Sequence, residues 1–207
     1  MSAWRLLLVV YGIVAVVALS VLAYLRESPF AHPAPWVSLP EGRGMALSLV
    51  LGLVFAAVVV ASTAVLLARF DWAKSVVHEL GPFAVGLTGR QLVALLGVAG
   101  LAEELVFRAL FTPTLGVFVS SALFGLVHQM GGKGRWYWMV WAFVVGLGLS
   151  SLYALTGSLL GPLLAHAVIN GVNVSRVRRM QAPARKQSLG GLFRGAPPGW
   201  SVRNGGS

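Results

Sequence analysis

The chain has 207 residues, 57% of them hydrophobic and 11% charged, with a formal net charge of +10 and no cysteine. At a mean hydropathy of +0.80 there is too little polar surface to cover a water-facing core, which excludes a soluble globular domain and places the chain in a bilayer. Without cysteine there is neither a disulfide nor a zinc–thiolate site.

A helix needs about 20 apolar residues to span a hydrocarbon layer roughly 30 Å thick. Six such runs occur, the first from about Leu6 to Leu25. Arg5 and the run Ala18-Leu19-Ser20 faintly resemble a secretory signal, but an apolar length of about 20 residues exceeds the roughly 7 to 15 of a signal core, so a retained helix is expected. The loop Glu27 to Gly44 holds Pro29, Pro33, Pro35 and Pro40 with Trp36, and reads as extended backbone with one aromatic in the interface. Its His32 is expected to face solvent. The second run is Met45 to Ala68, and Lys74 to Gly81 after it is expected to form one or two turns lying on the membrane. His78-Glu79 lacks the second histidine of the H-E-x-x-H zinc motif, because Pro82 stands there.

Thr88 and Gln91 have the form of a capping box and open the third run, Gln91 to Thr112. The fourth, Leu115 to Met130, is short for a span. The fifth, Tyr137 to Leu155, carries an interfacial aromatic belt in Trp136, Tyr137, Trp138 and Trp141, and the sixth is Ser158 to Val174. From Ser175 to Ser207 the chain has seven basic residues and no acid. Such a tail cannot bury enough apolar surface to order itself, and is drawn to anionic lipid at about 1 kcal/mol per close cation. No nucleic-acid partner is expected. The fold class is therefore all-α, a polytopic transmembrane bundle of about six helices: two N-terminal helices (1–85), a helical core (86–175) and a basic tail (176–207).

Lys and Arg near helix ends are retained on the cytoplasmic side. Six spans put thirteen basic residues on the face that holds both termini, against Arg26 and Arg43 on the other, so the expectation is a multi-pass protein of the plasma or inner membrane with both termini cytoplasmic. The sixteenth basic residue, Arg108, falls inside the third run with Glu103 and Glu104. A charge in hydrocarbon costs about 3 kcal/mol or more unless partnered, which makes this trio a functional-site hypothesis.

The other ionisable groups within the runs are His128 and His166, each sharing a helix face with the residue four away, Phe124 and Asn170 respectively. At about 1.5 Å per residue, Glu103, His128, His166 and Asn170 lie roughly 14, 20, 12 and 18 Å from the outer ends of their helices, which allows them to converge in one cavity. Glu104 and Arg108, at i and i+4, read as an ion pair on one helix. Glu103 points about 100° away and reads as the chemically available carboxylate, the converse assignment staying open.

Glu103 to Arg108 matches E-E-x-x-x-R, Phe124 to His128 matches F-x-x-x-H, and His166 to Asn170 matches H-x-x-x-N. In this order, with Gly157-Ser158-Leu159 before the third motif, the segment from Gly86 to Asn173 resembles the CAAX protease and bacteriocin-processing (Abi) family of intramembrane endopeptidases. The resemblance implies hydrolysis of a membrane-associated protein or peptide, with Glu103 and His128 activating water and His166 and Asn170 stabilising the oxyanion. Phe124 would be a cavity wall. No cofactor is favoured, and a zinc ion held by Glu103, His128 and His166 is the alternative enzymatic version. A non-catalytic scaffold or transporter using the same polar core structurally is the competing class of function.

Overall fold

The apolar runs fold as helices packed into one bundle. The computed structural model describes residues 2–132 and 134–181. They form α1 (Ala3–Leu25), α2 (Glu41–Arg69), α3 (Asp71–Gly86), α4 (Gly89–Glu103), a π-helical segment (Glu104–Phe111), α5 (Thr112–Val127), α6 (Arg135–Thr156) and α7 (Leu160–Gln181). The class is all-α. Four of the described stretches are long and apolar enough to cross a membrane: Ala3–Leu25, Gly42–Arg69, Gly89–Val127 and Arg135–Thr156. Large apolar side chains such as Val16, Val50, Val93, Phe118 and Val140 stand exposed along them, as suits lipid contact and not water. The chain is a multi-pass membrane protein.

The stretch Gly89–Val127 is not one rod. Gly116 has φ 83° and ψ 163°, a conformation open to glycine and not to a side-chain-bearing residue, and there the chain reverses. Thr112 Oγ1 lies 3.3 Å from Ser120 Oγ, the Phe107 ring 5.1 Å from that of Phe124, and Glu103 faces His128. These pairs step outward on both sides of Gly116, the signature of an antiparallel hairpin, and they separate the third and fourth apolar runs as the sequence predicts.

Helix α1 lies along α4 and the π-helical segment. Ala15, Ala18 and Leu22 share a buried cluster with Ala102, Leu105 and Ala109, the same spacing on both helices, so the two run parallel and the alanines bring the backbones close. Helix α7 lies parallel to α2. Near the start of α7, Ser48 Oγ donates to Ser158 O (2.9 Å) and accepts from Gly161 N (3.0 Å); farther along, Arg176 Nη1 donates to Val60 O (3.4 Å). The start of α1, the whole of α3 and the end of α7 therefore gather at one end of the bundle.

Three expectations need correction. Lys74 to Gly81 is part of a 16-residue helix, α3, which buries Ala73, Val76, Val77, Gly81 and Ala84 on one side and contains Pro82. Gly81-Pro82 reads as a breaker, but the apolar face outweighs one lost backbone hydrogen bond. Second, α7 continues through Arg176, Arg178 and Arg179 to Gln181, whose Nε2 reaches Val77 O (3.4 Å), so the basic segment begins as ordered helix. The remainder of the predicted tail, 182–207, lies outside the described residues. Third, His32 is half-buried, its ring 4.9 Å from that of Tyr153, and burial pushes it below the usual histidine value. The proline-rich loop holds it there: Ala31 bridges Ser158, His32 N donates to Gly157 O (2.9 Å), and Trp36 N to Ala154 O (2.7 Å). The predicted capping box is present, with Gln91 N donating to Thr88 Oγ1 (3.3 Å) and Thr88 N to Gln91 Oε1 (2.8 Å).

Candidate active site

Where α4 ends at Glu103 the helix widens into π geometry, with Thr112 N bonded back to Phe107 O. Such turns are rare and recur at functional sites. Glu104, Leu105, Phe107, Arg108 and Ala109 are buried in this segment. Ser120 on α5 donates to the Phe107 carbonyl, fixing the two arms of the hairpin to each other.

The arms and α7 bring Glu103, Glu104, Arg108, Phe124, His128 and His166 together. Glu103 Oε2 lies 3.5 Å from His166 Nε2 and 3.7 Å from His128 Nε2. His128 sits at the C-terminal end of α5, where its Nδ1 is 2.7 Å from Phe124 O. A carbonyl only accepts, so Nδ1 carries the hydrogen and the Nε2 of a neutral His128 presents a lone pair toward Glu103. His166 Nδ1 is 2.6 Å from Glu104 Oε1, and the same oxygen is 3.1 Å from Arg108 Nη1. The guanidinium stacks on the Phe124 ring, 4.2 Å from its centroid. Asn170 is half-buried one turn beyond His166 on α7.

Exposure divides the cluster. The side chains of Glu104 and Arg108 are 0% exposed, His166 is 7%, Glu103 15% and His128 22%. The inner members are sealed and the outer pair is partly exposed. Glu104 is more than half of an ion pair, since it also sets His166; the reading that confined it to Arg108 is incomplete. Among the described residues no group of three His, Asp or Glu side chains has the disposition of a metal site.

A multi-pass helical protein with a buried Glu–His–Arg cluster at a helix hairpin and one crossing helix is a membrane protein with the makings of a hydrolytic centre. Residues 87–172 match the family model described as type II CAAX prenyl endopeptidase Rce1-like, a stretch that holds every member of the cluster. The chain thus carries over those residues an Rce1-like domain of the CAAX protease and bacteriocin-processing family. It is also similar to the uncharacterized protein YpbD of Bacillus subtilis (strain 168), 27% identical over 77 residues, which are 37% of this chain and 40% of that protein. The chain therefore spans less than half the length of this curated relative. No solved structure matches it.

Proposed function

We propose that the protein is an intramembrane endopeptidase that hydrolyses a peptide bond of a membrane-associated protein or peptide. The observation that carries this reading is the placement of Glu103 Oε2 between two imidazole Nε2 atoms at 3.5 and 3.7 Å, in the partly accessible layer of an otherwise sealed cluster.

A water held between Glu103 and His128 gives its proton to the carboxylate while its oxygen attacks the scissile carbonyl carbon. The new C–O bond forms and the carbonyl π electrons move onto oxygen. His166, with Nδ1–H directed to Glu104, turns Nε2 toward the site, and as an imidazolium it donates from Nε2 to this oxyanion, joined by the Asn170 amide. Charges then balance: Glu103 and Glu104 against Arg108 and His166. When the C–N bond breaks, the proton on Glu103 passes to the departing amine. Glu104 orients His166, and Arg108 pairs with Glu104 where water does not reach. The six passes of the chain are membrane spans in this reading, with both termini cytoplasmic, and the basic residues at that end attract anionic lipid.

The test is turnover of a quenched fluorescent peptide with a farnesylated C-terminal CAAX-type sequence, and of the same peptide without lipid, by protein reconstituted in vesicles. Glu103→Gln, His128→Ala and His166→Ala are each expected to lose at least about a hundredfold, the lower range for an acid–base group. Unchanged turnover in Glu103→Gln removes that carboxylate from the reaction.

A further inference from the structure

Gly157, Ser158 and Leu159 form the turn from which α7 starts, and His166 follows within the first two turns of that helix. The turn is gripped from two sides. On one, Ser48 of α2 donates to Ser158 O (2.9 Å) and accepts from Gly161 N (3.0 Å). On the other, the proline-rich loop lies antiparallel to it: His32 N donates to Gly157 O (2.9 Å), Leu159 N to Phe30 O (2.9 Å) and Trp36 N to Ala154 O (2.7 Å). Gly157 has φ 73°, and a Cβ there would stand 3.3 Å from Pro35 Cβ. The loop lies outside the Rce1-like segment 87–172.

The imidazole of His32 closes the loop on itself, its Nδ1 lying 3.1 Å from Ala34 N. A backbone N–H only donates, so Nδ1 carries the lone pair, the hydrogen sits on Nε2 and the ring is neutral. The bond joins residues i and i+2, the pattern by which asparagine side chains close turns. The ring packs on Tyr153 of α6, centroids 4.9 Å apart. A proton on Nδ1 would set two donors against each other and leave a charge half-buried against that phenol. Tyr153 is the titratable group that faces the ring from α6, and Glu27, which lines a cavity with Pro33, is a carboxylate beside the loop. Arg26, Glu41 and Arg43 flank the loop along the chain.

We propose that His32 is a positioning residue for the start of α7: its neutral ring holds the proline-rich loop on the Gly157–Leu159 turn, and protonation releases that grip. Burial pushes the ring below the usual histidine value, so the clasped loop takes up a proton at lower pH than the released one. The clasp is therefore complete above about pH 6.5 and weakens by up to about tenfold per pH unit below it, until the clasped ring itself titrates. The effect on catalysis rests on the peptidase reading, whereas the clasp does not.

His32→Asn puts a carbonyl oxygen in place of Nδ1, able to accept from the same N–H, and does not titrate; His32→Gln is a second non-titrating variant. Full chains in lipid nanodiscs are followed from about pH 7.5 to about pH 5, a span that brackets histidine titration. The first readout is amide hydrogen exchange, corrected for its intrinsic pH dependence, over the clasped segments at Phe30–Trp36 and Gly157–Leu160. Wild-type protection is expected to fall about tenfold across that range and to stay level in the variants. The second is turnover of the farnesylated peptide. The histidines of the cluster titrate in both proteins, so the ratio of wild type to variant cancels them, and it is expected to drop from about one to about one tenth. Protection that holds in the wild type, or falls equally in the variants, overturns the clasp. Protection that falls while the turnover ratio stays level overturns the positioning role. A wild type that cleaves nothing at any pH, while its protection responds to acid only with His32 in place, sinks the peptidase reading and leaves the clasp standing.

Discussion

Glu104 Oε1 meets two partners at once, Arg108 Nη1 at 3.1 Å and His166 Nδ1 at 2.6 Å, with none of the three side chains more than 7% exposed. Removing one charge from a buried pair leaves the other uncompensated, at a cost of about 3–5 kcal/mol. Glu104→Gln is therefore expected to lower the melting temperature and the yield of folded protein. In the fraction that folds it also lowers turnover, because His166 loses the anion that orients it. Normal turnover at a lowered melting temperature would confine Glu104 to structure. The members of this cluster were legible in the sequence because each motif places two side chains on one helix face, four residues apart. Their division of labour was less so. Helical phase sets Glu103 and Glu104 about 100° apart, which reads as two separate environments. One imidazole on a crossing helix spans that angle with its two nitrogens, and no local pattern reports a crossing helix.

At the scale of elements, the placement of His166 depends on how α7 is seated against α2. A Cβ on Gly161 would come within 2.2 Å of Ser48 O, and one on Gly52 within 2.5 Å of Gly161 O. The two backbones touch. Gly161→Ala must push α7 away from α2 and break the Ser48 hydrogen bonds, at a cost of about 1–3 kcal/mol by the measure of other overpacked contacts. Since His166 follows within the next turn and a half, turnover is expected to fall with stability. Gly171 on the same helix has nothing within 4 Å of its would-be Cβ, so Gly171→Ala should leave the melting temperature unchanged or slightly raised. Equal effects of the two substitutions would mean that α7 is not fixed by this contact. Most helices were readable from length and apolar content alone. Helix α3 was not, because Gly81 and Pro82 signal a break while the buried face that overrides them depends on Val177 and Leu67 of other helices.

Across the whole molecule, the packing partners of each helix sort the loops into two ends. At one lie the start of α1, the α2–α3 and α3–α4 connections, the start of α6 and the end of α7; Trp72 of α3 stacks on Tyr137 of α6 at 5.0 Å. At the other lie the proline-rich loop, the turn at Gly116 and the α6–α7 turn, where Phe30 O accepts from Leu159 N at 2.9 Å. Among the described residues the first end carries Arg5, Arg69, Lys74, Arg90, Arg135, Arg176, Arg178 and Arg179, and the second only Arg26 and Arg43. The proposed orientation, first end inward, rests on the retention of basic loops on the cytoplasmic side. The chain has no cysteine, so a single introduced thiol reports its own location without background. Ser38→Cys, exposed in the proline-rich loop, should react with a membrane-impermeant maleimide added to intact cells. Lys74→Cys, whose native side chain is 53% exposed at the start of α3, should react only in inverted membrane vesicles. The opposite pattern would place both termini outside and turn the basic end away from anionic lipid; labelling of both positions from one side would mean that α2 does not cross.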